Sequence, residues 1–283
     1  MADPFEAMQI LSQAARTVRT DPLREGNVLA LPAEADVVFS GDLHGHRRNF
    51  QKLVTFADLA GHPSRHVIIH ELIHGPLDAD QADTSAELLV EAADWLLEFP
   101  QRVHMLMGNH DQAELTGTPT SREGRDCGKP WKAGLAKLYG EHAARVEAGI
   151  HLLLRGLPLA ARSPNRILMC HSIPEARRAD LFDPEVLVRP LTEADLTRPG
   201  PAYLLMWGRD FSQENADRVA GLLDCDLLLV GHVACEQGYA TPNERMLVLA
   251  ADHNAGCFVT FNASTPYRLS DLHGRVRCFA EVE

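Results

Sequence analysis

Five apolar runs in this sequence each break off at a cluster of glycine, histidine, carboxylate or amide residues, and no other feature constrains the fold as tightly. Ala35-Asp-Val-Val-Phe-Ser40 runs into Gly41-Asp-Leu-His-Gly45. Arg65-His-Val-Ile-Ile-His70 runs into Glu71, and Arg102-Val-His-Met-Leu-Met107 into Gly108-Asn-His-Asp111. Arg166-Ile-Leu-Met-Cys170 meets His171, and Cys225-Asp-Leu-Leu-Leu-Val230 meets Gly231-His232. Short apolar runs ended by glycine or a polar break read as buried strands closed by loops. Between the first three runs, apolar residues recur at helical spacing, at Phe50, Leu53, Val54 and Ala57 and then at Leu88, Ala92, Trp95, Leu96 and Phe99. Strand and helix in alternation predict a largely parallel sheet whose functional loops gather at the carboxyl ends of its strands. All five polar clusters fall at such ends.

The remaining pattern fills in around this frame. A leading helix is expected from Phe5, Met8, Leu11, Ala15 and Val18, with Asp3 as N-cap and Pro4 in the first helical position. Thr84 and Glu87 have the spacing of a capping box for the helix that carries Trp95. From residue 157 onward, short strand-like runs follow one another at 157–162, 166–171, 225–232, 245–250 and 257–261, which predicts a second, mixed sheet. Residues 112–149 are helical in composition and read as an insertion or cap within one domain spanning 1–283. No internal repeat or Pro/Gly/Ser-rich linker divides that domain. Asp271-Leu-His-Gly274 repeats the letters of the first cluster, but it follows Tyr267-Arg-Leu-Ser270 and reads as a hairpin turn with no metal role.

Composition enters mainly through what it excludes. With 39 acidic and 27 basic residues, the net charge of -12 argues against a protein that coats nucleic acid, whose affinity would rest on many phosphate contacts. No run reaches membrane-spanning length, and Met1-Ala-Asp-Pro-Phe5 has neither the basic start nor the apolar stretch of a signal peptide. The six cysteines include no Cys-x-x-Cys pair, and several lie in strand-like runs, so buried free thiols in a cytoplasmic setting are expected.

Histidine is abundant, at 14 residues, and its placement carries the chemistry. Asp42 with His44, Glu71, Asn109 with His110, His171 and His232 offer imidazoles, carboxylates and one amide oxygen at successive strand ends. That donor set suits borderline first-row divalent ions, of which Mn, Fe and Zn all fit, and a two-metal site needs a carboxylate able to lie between the ions.

In these motifs the chain resembles the calcineurin-like metallophosphoesterases, and among them the Ser/Thr phosphoprotein phosphatases. The family's GDxHG motif stands here as Gly41-Asp-Leu-His-Gly45, and its GNH(D/E) motif as Gly108-Asn-His-Asp111. The later histidines match His171 in Met169-Cys-His-Ser-Ile-Pro174 and His232 in Val230-Gly-His-Val233. An ordered match of four motifs is far more specific than any one of them. The resemblance implies an α/β fold, a β-sandwich of two mixed sheets flanked by helices in four layers, αββα. It implies two divalent metal ions, one on Asp42 and His44 and the other on Asn109, His171 and His232. It also implies His110 as general acid, with Asn109 contacting phosphate. In that chemistry the metals activate a water for in-line attack on phosphorus.

The second motif departs from the family's GDxVDRG. Here it reads His70-Glu-Leu-Ile-His-Gly-Pro76. Glu71 takes the place of the bridging aspartate, keeping a carboxylate on a longer stem. His74 stands where an aspartate orients the catalytic histidine, and Gly75 where an arginine binds phosphate. Arg209, in Trp207-Gly-Arg-Asp210, matches an arginine that some bacterial and phage relatives use on phosphate and is expected to supply that cation. The expected substrate is a phosphorylated small molecule or a phosphoprotein. Hydrolysis of a nucleotide or dinucleotide polyphosphate, and a metal-binding pseudophosphatase, are the alternatives.

Overall fold

A computed structural model describes residues 3–282 of the chain. Its first sheet runs in the order Val276–Cys278, Cys257–Asn262, Asp36–Ser40, Arg65–His70 and Val103–Leu106. The last three of these strands are parallel, and Cys257–Asn262 pairs antiparallel with both of its neighbours. The second sheet runs Arg24–Glu25, Val28–Ala30, Ala160–Arg162, Ile167–Cys170, Leu227–Val230, Met246–Leu249 and Tyr239–Ala240. Leu227–Val230 is an interior strand of it, parallel to both Ile167–Cys170 and Met246–Leu249.

Side-chain alternation explains why the two sheets stack. Val37, Phe39, Ile68, Leu106, Val259 and Phe261 of the first sheet pack with Ile167, Met169, Leu227, Leu229, Leu247 and Leu249 of the second to form one apolar layer. The alternate residues, such as Val38, Val67, Ile69, Leu168, Leu228 and Val248, face the helices. Both faces of each sheet are therefore buried, which is why the strands read as unbroken apolar runs. This is the four-layer αββα arrangement.

The leading helix, Pro4–Arg19, is capped by Asp3, whose carboxylate accepts from the Phe5 amide at 2.9 Å. Helices Gly128–Tyr139 and Ala143–Leu154 bury Trp131, Leu135, Val146, Ile150, Leu153 and Leu154 in the same core as that leading helix. The stretch before them also contains a small hairpin, Ser121–Arg122 with Arg125–Asp126. Two local expectations need correction. The helix that carries Trp95 spans Ala86–Glu98 with Ser85 at its cap, and its start shows no capping box. Asp83 takes the capping carboxylate's place by accepting from the Ser85 amide at 2.9 Å and the Gly75 amide at 3.3 Å. Residues 271–274 are not a hairpin turn but lie at the end of a short helix, Leu269–His273, capped by Asp271 accepting from the Arg268 amide at 2.8 Å.

Candidate metal centre

Strand ends deliver the polar side chains to one place. Asp42 follows strand Asp36–Ser40, Glu71 directly follows Arg65–His70, and Asn109 opens the helix after Val103–Leu106. His171 directly follows Ile167–Cys170, and His232 follows Leu227–Val230. A parallel bridge between Asp42 and Ala250 joins the two sheets at this edge. The loops turn sharply, and His44, Glu71, His74 and His232 all have positive φ, at 38°, 51°, 60° and 69°. Non-glycine residues seldom take that conformation, and four in one cluster mark backbone strain concentrated at a working site. Two motif glycines have a simple cause. A Cβ on Gly108 would sit 1.8 Å from Glu71 Oε1, and one on Gly231 would sit 2.0 Å from Asp42 Oδ1. Only glycine lets the backbone approach the carboxylates that closely.

The six expected ligands form one contiguous cluster. Asn109 Oδ1, His171 Nε2 and His232 Nδ1 stand 2.7, 3.0 and 3.1 Å from one another. His171 Nε2 is also 3.6 Å from Glu71 Oε1, and its Nδ1 is 3.7 Å from Asp42 Oδ1. His44 spans the other side, with Nε2 3.9 Å from Asp42 Oδ2 and Nδ1 3.9 Å from Glu71 Oε2. Asp42, Glu71 and both these histidines are buried.

Hydrogen bonds fix the tautomers. His44 Nδ1 is 2.9 Å from the Ile73 carbonyl, an oxygen that can only accept, so Nδ1 carries the proton and Nε2 is bare. His70 Nε2 is likewise bound to the Ser40 carbonyl at 3.1 Å, which leaves its Nδ1 to accept from His171 Nδ1 at 3.3 Å. His171 thereby turns a bare Nε2 toward Asn109, His232 and Glu71. A hydrogen-bond acceptor on the far nitrogen fixes a histidine's tautomer and ring orientation, as outer partners do in metal sites; here that acceptor is an imidazole.

The unmet polar groups test whether a cation fits. Asp42 Oδ1, Glu71 Oε2 and His232 Nε2 are buried and have no hydrogen-bond partner. Burial, reinforced by Asp252, pushes the Asp42 carboxyl up to about 8, and burial with Asp111 and Asp42 nearby raises Glu71 well above the usual carboxylate range. Burial also depresses His44, His171 and His232, the last to about 3, so these rings are neutral electron-pair donors. Crowded carboxylates and neutral imidazoles with bare nitrogens are what divalent ions relieve. The donor set fits.

His110 and His74 meet as expected, with their Nδ1 atoms 2.9 Å apart. His74 Nε2 lies 3.8 Å from Glu114 Oε2, and Glu114 Oε1 accepts from His151 Nε2 at 3.0 Å. Burial would raise Glu114, but its contacts with His151 and His74 outweigh that and hold it at about 2. A carboxylate is therefore present, one imidazole further from His110 than in the family pattern. Arg209 is exposed, following helix Pro201–Trp207, and its charge reaches both His110 and His232. Trp207 is otherwise engaged, stacking on Tyr203 at 5.4 Å and donating to Gln112 Oε1 at 2.7 Å.

Sequence reasoning missed Arg122. This residue sits on the small hairpin, bonds Asp252 Oδ2 at 2.5 Å and lines one narrow cleft with His74 and Gly75. Its charge acts on Asp42, His44, Glu71 and His110. No apolar periodicity marks the hairpin, so only the absence of a cation at Gly75 could have prompted a search for it.

Two stacked mixed sheets with helices outside, and carboxylates and imidazoles converging at their strand ends, define a metal-dependent hydrolase. The sequence matches the calcineurin-like phosphoesterase family over residues 35–236, and the chain belongs to that family. It is a metal-dependent phosphoesterase. Among solved structures, its fold is similar to a protein serine/threonine phosphatase from Saccharomyces cerevisiae with similarity to human phosphatase PP5. That match has a TM-score of 0.66 and 14% identity, covering 92% of this chain and 83% of the other. It is also similar to a cold-active protein-tyrosine phosphatase of the psychrophile Shewanella sp., at a TM-score of 0.59 and 13% identity, covering 93% and 84%. No helix among the described residues is long and apolar enough to cross a membrane.

Proposed function

We propose that this chain hydrolyses phosphomonoesters, phosphoprotein among them, on two divalent ions. Asp42 and His44 would hold one ion, Asn109, His171 and His232 the other, with Glu71 between them. The observation that carries this reading is the pair of buried, unpartnered carboxylate oxygens on Asp42 and Glu71 at a single convergence of strand ends. When bound, ions such as Mn, Fe or Zn would supply an activated water and neutralise charge on the phosphoryl oxygens.

The chain's own residues do the rest. Asn109 and the guanidinium of Arg209 orient the phosphate. Arg122, held by Asp252 beside Gly75, supplies the second guanidinium that Gly75 cannot. His110 donates its proton to the leaving oxygen while His74 fixes its ring through the Nδ1 contact. The phosphoprotein reading is supported by the fold neighbours, which are named as serine/threonine and tyrosine phosphatases. We read residues 1–283 as one domain with 112–149 as an insertion, supported by the burial of its helices in the common core. Six free thiols support a reducing compartment such as the cytoplasm.

The test is elemental analysis of the purified protein combined with hydrolysis of an aryl phosphate and a phosphopeptide. Close to two divalent ions per chain are expected, with turnover that chelation abolishes and added metal restores. A protein that binds no metal tightly, or that binds it and leaves both substrates intact, would overturn the proposal.

A further inference from the structure

Cys127 stands at the start of helix Gly128–Tyr139, next to the two histidines of the acid site. Its Sγ, one ring nitrogen of His74 and one of His110 all lie within 4.8 Å of one another, and all three residues are buried. The two Nδ1 atoms face each other at 2.9 Å. Tetrahedral zinc with bonds of about 2.0–2.1 Å to nitrogen holds two ligand nitrogens roughly 3.3 Å apart, so this spacing needs little adjustment to accept one ion. Behind His74, Nε2 is buried without a hydrogen-bond partner and faces Glu114 Oε2 at 3.8 Å. A carboxylate behind a histidine whose opposite nitrogen meets the metal is the usual support of a zinc-ligating imidazole.

We infer that His74, His110 and Cys127 form a third metal site, selective for a thiophilic divalent ion such as Zn2+, whose occupation inhibits the enzyme. The six residues of the main centre offer only oxygen and nitrogen, whereas this site adds sulfur, and thiolate favours zinc over manganese or magnesium. Binding converts the Cys127 thiol to a zinc-bound thiolate and releases one proton, with no change of oxidation state. His110 then holds the ion with one ring electron pair, so the ring can no longer become an imidazolium, and the N–H on its other nitrogen is a far weaker acid. The inhibition rests on the role proposed for His110 above; the binding does not.

The test uses Co2+ as the probe on protein already loaded at its main centre. Cobalt bound through sulfur shows an intense thiolate-to-metal charge-transfer band in the near ultraviolet, which ligands of oxygen and nitrogen do not produce. Wild type should develop that band with one further equivalent of Co2+, and Cys127→Ser and Cys127→Ala should not. The Cys127 side chain makes no cap hydrogen bond, so the nearly isosteric Cys127→Ser removes the thiol without removing a cap. In parallel, Zn2+ should inhibit aryl phosphate hydrolysis reversibly in wild type. Its inhibition constant should rise about tenfold or more in both variants, each measured against its own zinc-free rate. No sulfur-to-cobalt band in wild type overturns the site. A band that vanishes in the variants while zinc inhibition stays unchanged overturns the inhibitory role. A wild type that never turns over counts against the phosphatase reading, and the cobalt band still decides the site.

Discussion

In the proposed role of general acid, His110 needs a neighbour that stabilises its charged form, and it has instead a second imidazole. Burial first, and the charge of His74 second, press the His110 ring down to about 3. The protonated form that donates is lost as pH rises through the pKa, so a depressed value leaves little acid at neutrality. His74→Asp places an anion at that contact and raises the pKa. The alkaline limb of the kcat/KM profile for an aryl phosphate with a poor leaving group should then move to higher pH, and the neutral rate should rise. An unchanged profile in an enzyme that still depends on His110 would sever the dyad. Arg122 makes a different prediction. Arg122→Ala should lower kcat/KM by about 100-fold and weaken inhibition by inorganic phosphate, with metal content unchanged. Equal phosphate inhibition in the variant would place Arg122 outside the site. At this scale the sequence disclosed residues that directly follow apolar runs, such as Asp42 and His171. It hid Arg122 and Glu114, which reach the cluster from a hairpin and a helix flank that no pattern marks.

Among the elements, what matters is how each strand hands over to its loop. Strands were legible because burial on both faces leaves an unbroken apolar run, and the polar break that ends it is the site itself. Loop conformation was not legible, since Glu71 and His74 take positive φ without glycine and are held there by surrounding structure. The short helix at 269–273 was hidden for a related reason, as its capping carboxylate at Asp271 was read with the wrong neighbours. The close approach at Gly108 gives a sharp prediction. Gly108→Ala puts a methyl against the Glu71 carboxylate, and either the Asn109 helix or Glu71 must move. The variant should fold, with a thermal midpoint within several degrees of wild type, yet lose most of its metal and at least about 100-fold in activity. Full metal occupancy would mean that Glu71 is not a ligand.

For the molecule as a whole, the centre weighs on stability through its carboxylates. Asp42 at about 8, Asp111 at about 7 and Glu71, well above the usual carboxylate range, all bind protons more tightly folded than unfolded. The metal-free fold therefore loses stability as pH climbs from the ordinary carboxylate range to about 8, because ionising these groups costs more inside than outside. Divalent ions held as proposed would compensate the charge and reverse that loss. The gap in thermal midpoint between metal-loaded and metal-stripped protein should widen steadily from about pH 5 to pH 8. A gap independent of pH would mean that Asp42 and Glu71 do not bind the ions.

The convergence of strand ends from both sheets bears on when the site comes into being. The His232 amide donates to Asp42 Oδ2 at 2.9 Å, joining residues 190 positions apart in the chain. Asp42, His44, Glu71 and Asn109 follow strands of the first sheet, whereas His171 and His232 follow strands of the second. Closing so long a span is entropically costly and follows the formation of each sheet from nearer neighbours. During synthesis, the early ligands emerge well before the partners that complete their coordination. On the proposed ligand set, ion capture falls at the end of folding, and a half-made chain presents carboxylates and imidazoles without the geometry to hold an ion.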